Sequence, residues 1–218
     1  MMLRINFNSP AELSYKVLCL GAHCDDIEIG CGGTILKLIE QYPNLSFYWV
    51  VFCSNQQREQ EAFTSAHTFL KEASEKKIII HQLRDGFLPF CGIEVKECFE
   101  QLKQAFSPDL IFTHYRHDLH QDHRLISDLT WNTFRDHLIL EYEIPKYDGD
   151  LGTPNFFVHL DDLLCRRKIQ YIQDSFQTQH NKHWFMEETF RAILTLRGIE
   201  SKAPNRYAEA FYCRKMVF

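Results

Sequence analysis

The chain has 218 residues, enough for one good-sized core, and a single domain over residues 1–218 is expected. Hydrophobic residues make up 45% and charged residues 24%, the balance of a soluble globular protein. The net charge of −5 offers no basic field for nucleic acid or an anionic membrane, and no run of 18 apolar residues suggests a membrane span.

From the N-terminus, MMLRINFNSPAELSYK lacks a long apolar stretch after its charge and does not read as a signal peptide. A cytoplasmic location is therefore expected. The next segment, Val17-Leu18-Cys19-Leu20, is a short apolar strand ending in Gly21-Ala22. A glycine-rich turn is expected at Gly30 to Gly33, after which Thr34 caps a helix with Ile35, Leu36, Leu38 and Ile39 as its stripe, ending before Pro43. Phe47 to Phe52 is a buried strand, and Gln56 to Glu75 carries Phe63, Ala66, Phe69, Leu70 and Ala73 at helical spacing. Ile78 to Ile80 makes a third strand, Val95 to Phe106 a helix closed by Ser107-Pro108, and Leu110 to Thr113 a fourth strand. Leu125 to Leu138 is expected to be helical, 142–155 a loop, Phe156 to Leu160 a strand, and Leu163 to Phe176 a helix. Trp184 to Leu196 is amphipathic, and the tail returns through Ala208 to Phe211. Strands alternating with helices predict an α/β, Rossmann-like fold: a mostly parallel sheet with helices on both faces and an active site at the C-terminal ends of the strands.

Two polar clusters follow apolar strands. His23-Cys24-Asp25-Asp26 comes after the first, and His114 to His123, with His117, Asp118, His120 and Asp122 inside it, after the fourth. Right-handed crossovers put both strand ends on one edge of the sheet, where the clusters can meet. A hydrolytic metal site needs about three His or carboxylate ligands, an open position for water, and a carboxylate outside the ligand set to take a proton. In the first cluster one Asp can reach a metal while its neighbour faces the substrate. In the second, His120 and His123 share a face if a helix starts there, so that one ligates and the other points at the substrate. Plainer readings exist: Asp25-Asp26 as a helix cap, the histidine-rich segment as a surface loop. The eight cysteines form no CxxC pair, and Cys19, Cys53, Cys91 and Cys213 lie in apolar surroundings, as reduced buried thiols do.

The stretch from Gly21 to Thr34 (GAHCDDIEIGCGGT) resembles the N-terminal signature of the PIG-L/LmbE-type zinc de-N-acetylases. Thr113-His114 through His120-Gln121-Asp122-His123 is similar to that family's second motif. Arg84-Asp85-Gly86, Lys168 to Gln179 and Tyr207-Ala208-Glu209-Ala210-Phe211 are similar to further family elements, so the likeness spans nearly the whole chain. It implies His23, Asp26 and His123 as zinc ligands and Asp25 as the general base acting on the attacking water. It further implies His120 as the stabiliser of the oxyanion, as cation or hydrogen-bond donor, and Asp122 as the partner that holds an imidazole in its working tautomer. Arg58 and Asp85 fall where the family contacts sugar hydroxyls or an attached group. Iron(II) or cobalt suits a two-His, one-carboxylate site nearly as well as zinc.

Three positions depart from the pattern: Cys24 and Gln121 replace prolines, and Ile27 stands where Glu is common. None removes an implied ligand or the base. Cys24 raises the idea of a thiolate ligand, which would fill the open position. The resemblance implies release of acetate from an N-acetylated amino sugar or sugar nucleotide, in bacterial surface-polysaccharide or glycoconjugate synthesis. Two rivals are a metal-dependent hydrolase of a non-sugar amide and a non-catalytic nucleotide- or sugar-binding module that cradles phosphate at Gly30 to Gly33. That turn is not GxGxxG, and nothing acidic ends the second strand. The aromatic C-terminal third, with Phe185, Phe190, Phe211 and Phe218, is expected to be core, with pocket wall or a contact within a homo-oligomer as the alternatives.

Overall fold

The computed structural model describes residues 14–42 and 44–217. Residues 1–13 of the N-terminal stretch read above for a signal peptide, Pro43 and Phe218 lie outside the described residues.

Seven strands form one sheet in the order β3-β2-β1-β4-β5-β7-β6. β1 (Lys16–Gly21) sits between β2 (Ser46–Cys53) and β4 (Leu110–His114), parallel to both. β3 (Glu75–Leu83) extends the parallel set beyond β2, and β5 (Leu138–Tyr142) extends it beyond β4. β7 (Tyr207–Cys213) is antiparallel to β5 and to β6 (Phe156–Leu160), so one edge of the mostly parallel sheet is antiparallel.

The side-chain period of two sends alternate residues of each strand to opposite faces. Val17 and Cys19 of β1, with Phe47, Trp49 and Val51 of β2, enter one buried cluster. Helices α1 (Asp26–Gln41), α2 (Gln56–Phe69), α5 (Asp162–Ser175) and α6 (Glu187–Glu200) pack on that side. Leu18, Leu20, Val50 and Phe52 point the other way, against α3 (Gly92–Ala105) and α4 (Gln121–Thr133). Phe185, Phe190 and Phe211 are core.

Four expectations are corrected. Gly30 to Gly33 is not a turn; α1 starts at Asp26 and runs straight through it. These glycines give neighbouring side chains room. A Cβ on Gly30 would lie 2.2 Å from the Tyr142 ring, one on Gly32 2.6 Å from Phe69, and one on Gly33 2.5 Å from Leu160. The phosphate-cradle reading loses its loop with that turn. Leu138, expected to end a helix, and Tyr142, expected to open a loop, instead bound a strand, because the chain leaves α4 at Thr133 and five residues then pair with β4. α2 stops at Phe69, well short of Glu75, which opens β3. All eight cysteines are free, but Cys91 and Cys213 are only half-buried.

β1 feeds α1 and β2 on one side, while β4 returns on its other side. The strand order therefore reverses between β1 and β4, where open α/β sheets leave a crevice beyond the carboxyl ends. Val17 pairs with Leu110 and Cys19 with Phe112, so Gly21 and His114 finish close together at that crevice. No helix among the described residues is long and apolar enough to cross a membrane.

Candidate metal centre

The first cluster occupies the sharp passage from β1 into α1. Asp25 is the N-cap of α1, yet its carboxylate makes no capping hydrogen bond; Oδ1 instead accepts from Arg58 Nη2 at 2.8 Å. The plain cap reading therefore does not describe its side chain. Arg58 stands in the first turn of α2, whose own cap is Asn55, accepting from the Gln57 and Arg58 amides. Asp26 turns its carboxylate inward, where Oδ2 accepts from the His23 amide at 2.6 Å. The second cluster lies between β4 and α4. His120 is the N-cap of α4, and Asp122 and His123 fall in its first turn, buried against the end of β1.

The two clusters meet. His23 Nδ1 lies 3.1 Å from His123 Nε2 and 3.3 Å from Asp26 Oδ2, and His123 Nε2 lies 3.6 Å from Asp26 Oδ1. Donor atoms about 2.0–2.2 Å from a tetrahedral zinc are separated by roughly 3.3–3.5 Å, and each of these pairs stands near that spacing, with Asp26 turning a different oxygen to each imidazole. Further donors crowd the spot: His23, His120 and His123 offer ligand atoms within 4.8 Å of one another, as do Asp26, His114 and His123.

Each imidazole is held by an outer carboxylate or amide. His23 Nε2 lies 3.3 Å from Asp122 Oδ2 and 3.1 Å from Asp85 Oδ1. Asp122 is in turn fixed by the Gly86 and Leu88 amides, at 2.7 and 3.1 Å. Nδ1 of His123 lies 2.9 Å from Asp118 Oδ2. His120 Nδ1 accepts from the Asp122 amide at 3.2 Å, which leaves the ring proton on Nε2.

The electrostatics favour a cation. Burial opposes charge on Asp26, but His123, His114 and His23 hold its carboxyl well below the usual range. Burial likewise opposes charge on His23, yet Asp26, Asp122 and Asp85 draw a proton to it and raise its pKa well above the ordinary value. Burial and the neighbouring His114 lower His123 to about 3, keeping it in the neutral form that binds metals. Burial and His23 also lower His120. The hydrogen bond to His23 brings Asp85 down to about 2. The clustered imidazoles and carboxylates, His23, Asp26 and His123 among them, fit a divalent ion.

Residues 18–134 match the family model described as PIG-L: GlcNAc-PI de-N-acetylase. The chain belongs to that family. Solved structures with the same architecture include the conserved protein TT1542 from Thermus thermophilus, with a TM-score of 0.74 and 18% identity over 93% of this chain and 95% of that one. The N,N'-diacetylchitobiose deacetylase of Pyrococcus horikoshii aligns with a TM-score of 0.67 and 24% identity over 91% of this chain and 83% of that one. GalB, the 4-carboxy-2-hydroxymuconate hydratase of Pseudomonas putida KT2440, gives 0.73 and 14% over 94% and 98%. At these identities the likeness establishes the fold, and a hydratase among the neighbours shows that this fold hosts more than one chemistry.

Within this PIG-L chain, the other site residues fall as follows. Asp85 stands at the mouth with its side chain largely exposed. Arg58 meets Asp25, and its Nε has no hydrogen-bond partner among the described residues. Cys24 is turned away from the ligands: its thiol donates to the Cys53 carbonyl, and burial pushes its pKa up to about 12. A thiolate ligand there is ruled out by that geometry. Three residues without a role in the sequence reading also bear on the centre. His114 stacks on His123 with ring centroids 3.9 Å apart and takes the Ala22 amide on Nε2 at 2.9 Å. Asp118 holds His123, and Tyr142 donates to the Leu20 carbonyl at 2.6 Å beneath the site. The signal for Asp118 was present, an acidic residue five positions before a histidine of the second motif. Tyr142 had none, since it closes a strand taken as the start of a loop.

Proposed function

We propose that this chain is a metal-dependent hydrolase that removes the N-acetyl group from an amino sugar or sugar conjugate. The observation that carries the proposal is the meeting of His23 Nδ1, Asp26 and His123 Nε2 at 3.1–3.6 Å, beside a carboxylate outside that set. His23, Asp26 and His123 are the proposed ligands of a zinc ion, with iron(II) or cobalt as ions the same donors accept. When bound, such an ion lowers the pKa of water towards neutrality and polarises a carbonyl.

Asp25 takes the proton of the attacking water as general base. Its carboxylate is pinned by Arg58 and is not used in capping α1, which supports this role. Water adds to the acetyl carbon, and the oxygen that gains charge is met by His120, whose neutral ring carries its proton on Nε2 and donates it as a hydrogen bond. The proton held by Asp25 passes to the amine as the C–N bond breaks, giving acetate and a free amino sugar. Asp122 keeps His23 in the tautomer with Nδ1 free, because its oxygen receives the Nε2 proton. Asp85 and Arg58 are the proposed contacts to sugar hydroxyls, Asp85 from the exposed rim and Arg58 through donors not spent on Asp25.

The test is acetate release from a panel of N-acetylated sugars, sugar nucleotides and simple amides, with metal content measured on the same preparation. Release from an amino sugar, abolished by chelation and restored by zinc, is the expected result. Protein that takes up no metal after reconstitution refutes the proposal.

A further inference from the structure

The loop between β5 and β6 reaches back over the metal-binding segment through one buried cation. Lys146 places its ammonium 2.8 Å from Asp118 Oδ2 and 2.5 Å from Asp150 Oδ2. Both carboxylates and the lysine are nearly sealed from solvent, with side-chain exposures of 2%, 6% and 9%. The carboxylate of Asp118 is fully engaged: Oδ2 receives His123 Nδ1 at 2.9 Å as well as Lys146, and Oδ1 accepts from the His120 amide at 2.7 Å. Asp150 completes the clasp by accepting from the Leu119 amide at 2.7 Å. The other nearby cation, Arg124, donates to the backbone carbonyls of Asp118 and Leu119 and leaves the carboxylate to Lys146.

We infer that Lys146 is a positioning residue for the metal centre, acting through Asp118 on the orientation of His123. The inference rests on the reading of His123 as a ligand. Without the ammonium, two buried carboxylates face each other with no counter-charge. Such a pair is relieved when one carboxylate rotates away from the other. That rotation removes the fixed acceptor on His123 Nδ1, and the ring no longer presents Nε2 at its place opposite His23 and Asp26. Outer partners of ligating histidines typically carry 10–100-fold of metal affinity, and that is the scale expected here.

Zinc affinity, measured on the full chain by competition with a chromogenic chelator, reads this directly, with thermal melting of the metal-free proteins as a control on folding. Lys146→Met is expected to weaken zinc binding by roughly 10-fold or more. Lys146→Arg, which restores the cation, is expected to recover most of the loss. Asp150→Asn separates positioning from simple fastening of the loop, because it loosens the same loop while leaving Lys146 on Asp118; it should stay within a few-fold of wild type. Lys146→Met within twofold of wild type, or Asp150→Asn as damaging as Lys146→Met, overturns the inference. Wild-type chain that binds no zinc instead overturns the functional reading beneath it, and so the two failures are distinguishable.

Discussion

Replacing Glu209 by alanine should cost this protein a large part of its stability. Glu209 lies on β7 with its side chain 2% exposed, and three donors converge on it. The Gly33 amide reaches Oε1 at 2.8 Å, the Thr34 amide reaches Oε2 at 2.6 Å, and Lys168 Nζ reaches Oε1 at 2.6 Å. Lys168 also donates to the Ile29 carbonyl at 2.6 Å. The two side chains thus bond to backbone groups in the middle of α1, the helix that carries Asp26 and starts directly after Asp25. Alanine at 209 removes an extra acceptor from two buried helix amides and leaves a buried ammonium with no counter-ion. Breaking one side of a buried ion pair typically costs about 3–5 kcal/mol, and these contributions overlap, so a total near ~5 kcal/mol is the working figure. For a chain of this length 1 kcal/mol moves the melting temperature by about 2–4 °C, which predicts a fall of roughly 10–20 °C. Urea denaturation followed by circular dichroism and by tryptophan fluorescence measures the loss. The double variant Glu209→Leu/Lys168→Met, which removes both charges, should recover part of it. A loss below about 1 kcal/mol in Glu209→Ala would show that the pair contributes little and that α1 is held by packing alone.

His123→Ala removes a proposed ligand and should abolish stoichiometric zinc uptake, measured by elemental analysis after dialysis; full occupancy would overturn its assignment. Asp25→Asn should keep the metal and lose roughly 10²–10⁴-fold in turnover, the usual contribution of a general base. Acetate release at the wild-type rate would remove Asp25 from that role. Gly30→Ala puts a methyl 2.2 Å from the Tyr142 ring, inside contact distance, and should destabilise by about 1–3 kcal/mol through overpacking. A melt unchanged by that substitution would mean that Tyr142 moves aside freely.

The sheet was largely legible because its parallel strands are short, mostly apolar and separated by helical periodicity. What failed was local evidence overruled by packing. Glycines at 30, 32 and 33 argue for a turn on propensity, and they are helical because Tyr142, Phe69 and Leu160 press against the helix where any side chain would collide. Leu138 to Tyr142 is too short a run for periodicity to choose between helix and strand. The reversal of β7 between β5 and β6 is a matter of pairing partners far apart in sequence, and no local pattern carries it.

The candidate site divides along a similar line. Residues that follow strands β1 and β4 directly could be found from the chain, because the end of a parallel strand fixes where the next few side chains go. Residues that act at one remove could not. Asp118 stood inside the second motif, but its hold on His123 depends on the loop folding back so that a carboxylate meets the far side of the ring. Lys146 lies in a segment that reads only as loop, and its meaning comes from Asp118 and Asp150 closing on it from two directions. Arg58 is the clearest case of a residue placed by motif and redefined by geometry. The resemblance implies a contact to the substrate, and in the fold its guanidinium also binds the carboxylate beside the proposed metal ligands. Spacing along a strand and helix brings out the residues proposed to touch a ligand; the charges that hold those side chains in place come from elsewhere in the chain, brought in by tertiary structure.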